Sequence, residues 1–254
     1  MMVVRIRGIV VVKKIWEKYR GDVRFFVIFL LCFGLFRSVA FASYHIPSES
    51  MVPTLEVGDR IIVSKWPYGY SKHSVWFPFF TKLPDANSRL FSRLPERGDV
   101  AVFKHTQDDI VMIKRVVGLP GDEISIVDGV LHVNGKAVER KPIRAYAYRE
   151  HKGSVASVRQ YTEVLPEGMQ HTIIERSDTW RGDAAGPYFV PEGHVFMMGD
   201  NRDNSADSRY LSGLGFVPVE HLIGRAEMIF ASTHSCQLED GLECAARRFF
   251  SVIH

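Results

Sequence analysis

Cysteine is scarce: the 254 residues hold three, Cys32, Cys236 and Cys244, and no C-x-x-C pair. That excludes a disulfide-stapled scaffold and the common zinc or dithiol motifs. The ten histidines are scattered, with no H-E-x-x-H and no i, i+4 pair beside a carboxylate, so no metal site is expected. Gly118-Leu-Pro-Gly121 lacks the spacing of a phosphate-binding loop, and no G-x-S-x-G marks a hydrolase elbow. No cofactor is called for. Positive charge is missing from most of the chain as well. Residues 1–24 carry Arg5, Arg7, Lys13, Lys14, Lys18, Arg20 and Arg24 against Glu17 and Asp22, a net of +5. The chain total of +3 less this +5 leaves −2 for the remaining 230 residues, so the body offers no basic face for nucleic acid. Repeats and low-complexity tracts are absent, and a 46% hydrophobic, 24% charged composition describes a globular core.

What is present begins with an apolar run. Phe25 to Tyr44 is 20 residues interrupted by one charge, Arg37, which is long enough to cross a bilayer. Arg37 sits toward the C-terminal end, where its stem can reach the headgroups. The basic residues 1–24 place the N-terminus in the cytoplasm and the rest of the chain outside. The same segment also fits a cleaved signal peptide, with Ala40-Phe41-Ala42 as the small-residue site.

Beyond residue 44 the pattern is β. Ile61-Ile-Val63, Val100-Ala-Val-Phe103 and Ile110-Val-Met-Ile113 are short β-branched runs bounded by Gly, Pro and Asp. Asp128-Gly129 and Asn134-Gly135 are type I′ dipeptides between strand-like segments 123–127 and 130–133. No long helical stripe appears, so an antiparallel β body is expected. Residues 66–97 read as a long aromatic-rich loop. Residues 139–192 are polar and irregular, and read as an inserted lobe or extended loops.

Three segments could carry chemistry. Ile46-Pro-Ser48-Glu49-Ser50-Met51-Val-Pro53-Thr54 presents two hydroxyls on a proline-stiffened stretch, although a plain linker has the same composition. Along Ile110 to Val117, Lys114 is the one lysine on an apolar strand, sharing a face with Ile110 and Met112. Such a lysine either snorkels at an edge or is buried for a purpose. Gly199-Asp200-Asn201-Arg202-Asp203-Asn204-Ser205-Ala-Asp207-Ser-Arg209 is a charge-balanced loop whose Asp and Arg residues could simply pair.

Taken together, S-x-S-M-x-P-T, R-G-D-V-x-V-F at 97–103, K-R-V-V-G-L-P-G-D at 114–122 and G-D-N-R-D-N-S-x-D-S-R resemble the bacterial type I signal peptidases, or leader peptidases. Glu49 departs from the Gly common at its place, and Leu211–Gly215 is longer than usual. The resemblance implies a mainly β fold: an antiparallel β-sheet catalytic domain with an inserted second β lobe, preceded by one N-terminal transmembrane helix. The expected organisation is a basic cytoplasmic segment 1–24, an anchor 25–44, a catalytic domain from 45–121 and 194–232, an inserted lobe 122–193 and a tail 233–254. It also implies a serine endopeptidase that needs no histidine, with Ser50 as nucleophile and Lys114 as general base. The Ser50 N–H and the Ser48 hydroxyl would hold the oxyanion. Ser205 would hydrogen-bond Lys114, Asp207 and Arg209 would brace their loop, and Arg115, on the opposite strand face, would seek the Asp200 region.

A lysine at its free pKa of about 10.4 is a poor base at neutral pH, and burial can lower that value by roughly 3–5 units. Ile110, Met112, Ile113 and Val116 supply apolar surroundings. Ile46, Met51, Met112 and Ile113 are the expected walls of shallow pockets for small side chains, as in Ala-x-Ala sites. The implied partners are secretory preproteins and membrane lipid, not nucleic acid; the sequence carries no sign of oligomeric state. The implied location is the bacterial cytoplasmic membrane, single-pass, with the catalytic domain on the outer side. With Ser50 six residues past Tyr44, the site is tethered at the membrane, which favours a retained anchor over a cleaved leader. A conjugation-associated maturation peptidase, a self-cleaving repressor-type Ser–Lys protease and an inactive tethered β module are the competing classes. Cys236 and Cys244 flank a turn-like Asp240-Gly241 and could bridge on the oxidising side.

Overall fold

A computed structural model describes residues 4–74, 89–150, 153–177, 179–233 and 248–254. The possible Cys236–Cys244 bridge lies outside the described residues. Two compact units divide the chain, Met1–Ala40 and Phe41–His254.

The first unit is one helix, α1 (Val4–Ala40). Within its Trp16–Ala40 portion of 25 residues, an 18-residue stretch reaches a mean hydropathy of 2.0, the one segment among the described residues long and apolar enough to cross a membrane. At 1.5 Å per residue the whole portion extends about 37 Å, more than the roughly 30 Å hydrocarbon layer. Phe25, Phe29 and Phe33 stack along one face at i, i+4 spacing, with ring centroids 6.4 and 6.2 Å apart.

The helix ends before the expected limit of the span at residue 44. Phe41–His45 forms a strand, β1, whose residues alternate between exposed and half-buried. Ala42 and Tyr44 turn toward the core, and the whole strand pairs with 60–64, from Phe41 against Ser64 to His45 against Arg60. Ladder hydrogen bonds and inward packing thus override the helical continuation that hydropathy alone suggested.

The second unit is antiparallel β. Its main sheet uses β1, β2 (Asp59–Ser64), β3 (Val100–Lys104) and β4 (Val111–Gly118). A four-stranded sheet follows from β5 (Glu123–Val127), β6 (Val130–Val133) and β7 (Lys136–Ala137), completed later in the chain. The two turns joining β5 to β6 and β6 to β7 have positive φ at both central residues: 50° and 74° at Asp128-Gly129, 53° and 74° at Asn134-Gly135. Those are the type I′ turns the dipeptides predict. The long strands β8 (Glu139–Arg149) and β9 (Val155–Val164) join β10 (Gln170–Glu175) in a three-stranded sheet, ordered β10-β9-β8. The region that read as irregular is therefore mostly strand. β11 (Ala185–Phe189) closes the four-stranded sheet beside β5. β12 (His194–Met198), β13 (Val217–Pro218) and β14 (Leu222–Ser232) return to the main sheet, ordered β1-β2-β14-β3-β4-β12-β13. β15 (Ser251–Val252), from the segment expected to be a tail, pairs with β14.

The central strands of the main sheet are buried on both faces. Along β3, Val100 and Val102 enter one apolar cluster with Ile46, Met51, Leu55 and Ile113, while Ala101 and Phe103 enter another with Val116, Met197 and Leu222. Each such fully buried aliphatic side chain contributes about 1.5–3 kcal/mol. A lysine on β4 is therefore held in a dry, fixed place.

Candidate active site

Strand β4 lies centrally between β3 and β12, with Ala101 opposite Lys114 and Met198 opposite Arg115. Lys114 is 3% exposed and has no edge to snorkel from. The loop 46–58 folds over this strand through a set of turns. Ile46 N–H donates to Asp59 O and Gly58 N–H to Ile46 O, closing the loop at its neck. Val52 N–H donates to Glu49 O and Leu55 N–H to Met51 O, tightening its tip. Met51 and Leu55, both fully buried, pin it to the core, and Ser50 beside Met51 is carried inward.

The result is a close contact between two distant segments. Lys114 Nζ lies 2.6 Å from Ser50 Oγ and donates also to its neighbour's carbonyl, Ile113 O, at 3.0 Å. Burial lowers the Lys114 pKa to about 8, against an upward pull from Asp207 and Asp200. That pull is weakened because each carboxylate has its own guanidinium. Asp200 Oδ1 and Oδ2 accept from Arg115 Nε and Nη2, both at 2.8 Å, and Oδ2 accepts from Thr54 Oγ1 at 2.5 Å. Asp207 accepts from Arg209 Nε at 2.8 Å and Nη2 at 2.9 Å, and from the Gly199 N–H at 3.0 Å. Burial by itself would raise both carboxyls, but the paired arginines and hydrogen bonds hold them below the ordinary range. The lysine thus faces two neutralised pairs, and desolvation decides its state.

Ser48 Oγ is 3.4 Å from Ser50 Oγ, on the exposed side of the nucleophile candidate. Such a position suits a donor aimed at an oxyanion. Ser205 departs from the expectation. Lys114 bonds Ser50 and Ile113 instead, and the buried Ser205 hydroxyl lies beside the Asp207 carboxyl, which it helps to hold below the ordinary range. Its side chain is turned against Gly199. A Cβ on Gly199 would come within 2.6 Å of Ser205 Cβ and 2.5 Å of Ser50 O, so only glycine allows this approach. Of the expected pocket residues, Ile46, Met51 and Ile113 share one core cluster, whereas the half-buried Met112 packs on the other. Glu49, the unusual neighbour of Ser50, accepts from Asn204 Nδ2 at 3.0 Å.

Several contributors carried no individual signal in the sequence. Thr54 holds Asp200. Arg248 donates to Thr54 O and lies 3.4 Å from Asp59 Oδ2, and Arg115 Nη2 donates to His254 O at 3.0 Å. Ile253 packs against the cluster of Met51, so residues 248–254 support the loop. Among the described residues no group of three or more His, Cys, Asp or Glu could hold a metal ion.

A family model described as "Signal peptidase, peptidase S26" matches residues 20–231. The signal peptidase I of Rickettsia typhi is 37% identical over 213 residues, covering 81% of this chain and 78% of that protein. The signal peptidase I of Rickettsia massiliae is 36% identical over 214 residues, covering 81% and 77%. A crystal structure of a signal peptidase I from Enterococcus faecalis V583 is 27% identical and covers 52% of this chain and 97% of that one, with a TM-score of 0.30.

Proposed function

Because the chain belongs to the signal peptidase family, peptidase S26, we propose that it is a membrane-anchored serine endopeptidase that removes N-terminal signal peptides from secreted preproteins, cutting after Ala-x-Ala-type sites. The observation that carries the mechanism is the 2.6 Å approach of Lys114 Nζ to Ser50 Oγ in a buried setting that brings the amine toward neutrality.

In this reading the neutral Lys114 amine accepts the Ser50 proton as Oγ attacks the scissile carbonyl. The oxyanion is held by the Ser50 N–H and the Ser48 hydroxyl. Lys114 then passes its proton to the leaving amine, and water, activated by the same amine, hydrolyses the acyl-enzyme on Ser50. Arg115 with Asp200 and Arg209 with Asp207 are structural supports that keep the nearby carboxylates matched. Ser205 fills the space left by Gly199. Ile46, Met51 and Ile113 are packed in one core cluster, and the preference for Ala-sized side chains rests on the family reading and not on an open pocket lined by them.

The apolar part of the helix, from Phe25 to Ala40, is the anchor, with residues 1–24 in the cytoplasm and the catalytic domain outside the cytoplasmic membrane. A nucleophile ten residues after the helix end reaches substrates whose signal peptides are still in the bilayer. The test is incubation of the full chain in detergent with a preprotein bearing an Ala-x-Ala site. Wild type should release the mature protein with its N-terminus just after the second Ala, and Lys114→Met should release none. Equal cleavage by the two would refute the mechanism.

A further inference from the structure

The inserted lobe reaches the loop of the nucleophile through Asn201. Asn201, fully buried, donates its backbone N–H to Ser50 O at 3.2 Å and its side-chain Nδ2 to Glu49 O at 3.1 Å. One residue thereby holds the carbonyls on both sides of the Ser50 N–H, its backbone taking Ser50 O and its side chain Glu49 O. The second hydrogen of that Nδ2 goes to Tyr148 Oη at 2.9 Å, on β8 of the lobe. Asn201 Oδ1 has no partner among the described residues, so these two bonds alone fix the rotation of the amide. The same lobe makes two further contacts with this region. Ile174 N–H on β10 donates to Asp200 O at 2.9 Å, and Val52, two residues past Ser50, packs with Tyr148, Val158 and Ile174.

We infer that Tyr148 is a positioning residue for Ser50, acting through Asn201. The claim rests on the reading of Ser50 as nucleophile. The Tyr148 hydroxyl orients the Asn201 amide, the amide sets the pitch of the Glu49–Ser50 peptides, and that pitch aims both Oγ and the N–H that would face the oxyanion. Tyr148 touches neither substrate nor the reacting atoms. The structural alternative is that Tyr148 only fills the cluster with Val52, and its ring alone would then suffice.

Tyr148→Phe separates the two, because it keeps the ring and deletes the hydroxyl. Kinetics on a preprotein, with the full chain in detergent, should show kcat lowered about tenfold to a hundredfold at unchanged KM, the size expected for a misaimed nucleophile. In an Asn201→Ala background, itself lowered in kcat, Tyr148→Phe should then cost nothing further, since the route through the amide is already gone. An unchanged kcat in Tyr148→Phe, or losses that multiply in the double variant, would overturn the inference. Ser50→Ala run alongside keeps the premise separate: activity surviving in Ser50→Ala would refute the nucleophile assignment, whereas an inactive Ser50→Ala beside a fully active Tyr148→Phe refutes the positioning role alone.

Discussion

Replacing Lys114 by Met should abolish catalysis and, at neutral pH, stabilise the fold. Lys114 is 3% exposed, and burial takes its pKa from the ordinary 10.5 to about 8. At 1.36 kcal/mol for each tenfold, the protonated side chain costs the folded state about 3 kcal/mol. The sign follows from proton binding. Between pH 8 and 10.5 the unfolded chain holds a proton the folded one has released, so stability rises with pH across that window and the full cost applies below it. Methionine has a similar reach and no charge. What it loses are the bonds to Ser50 Oγ and Ile113 O, about 1 kcal/mol each. The difference leaves Lys114→Met about 1 kcal/mol more stable at pH 7 and about 2 kcal/mol less stable above pH 10.5. Urea unfolding of the full chain in micelles, followed by tryptophan fluorescence at both pH values, measures the crossover. A variant less stable than wild type by the same amount at pH 7 and pH 10.5 would refute the buried-lysine argument.

Other outcomes follow from the same geometry. For wild type, kcat/KM should rise with pH to a plateau with an apparent pKa near 8; a profile falling between pH 7 and 9 would contradict a lysine base. Arg115→Met leaves Asp200 buried and unmatched, which should cost about 3–5 kcal/mol in unfolding free energy and move the activity profile to higher pH, because the freed charge favours protonated Lys114; an unmoved profile would sink that link. Ser48→Ala should lower kcat about 10²–10³-fold with the fold intact; full activity would remove it from the oxyanion site. Protease added outside spheroplasts should digest the body and spare residues 1–24, and a protected body would reverse the orientation.

The parts of the site legible in sequence are those set by short spacing or by unusual company. Lys114 stands out as the one lysine on an apolar strand, and the central place of its strand in the sheet decides for burial over snorkelling; Arg115, one residue on, must point to the other face, where Asp200 meets it. Asp207 and Arg209 are close enough in sequence to pair across one turn. The type I′ dipeptides fixed the β5–β6–β7 meander because positive φ at two positions leaves little choice. Tertiary contacts were harder. β8 and β9 carry many Arg, Tyr and Ser residues whose alternation is blurred, since the burial of a lobe strand depends on what the rest of the chain lays against it. The same holds for the stop of α1 at Ala40, where ladder bonds compete with hydropathy. Ser205 was expected on Lys114, but Gly199 opens a space beside it that no local pattern reveals. Residues 248–254, apparently a tail, dock on the Ser50 loop through Arg248, Ile253 and His254, contacts that only the folded sheet creates.

The central claim, Ser50 as nucleophile with Lys114 as its base, is tested most directly by trapping the covalent intermediate. The full chain is mixed with excess Ala-x-Ala preprotein, quenched in acid within the first turnover, digested and weighed by mass spectrometry. The account predicts that the peptide containing Ser50 gains the mass of the signal peptide through an ester, and that neither Ser50→Ala nor Lys114→Met forms it. An adduct on any other residue, or undiminished cleavage by Ser50→Ala, would contradict it.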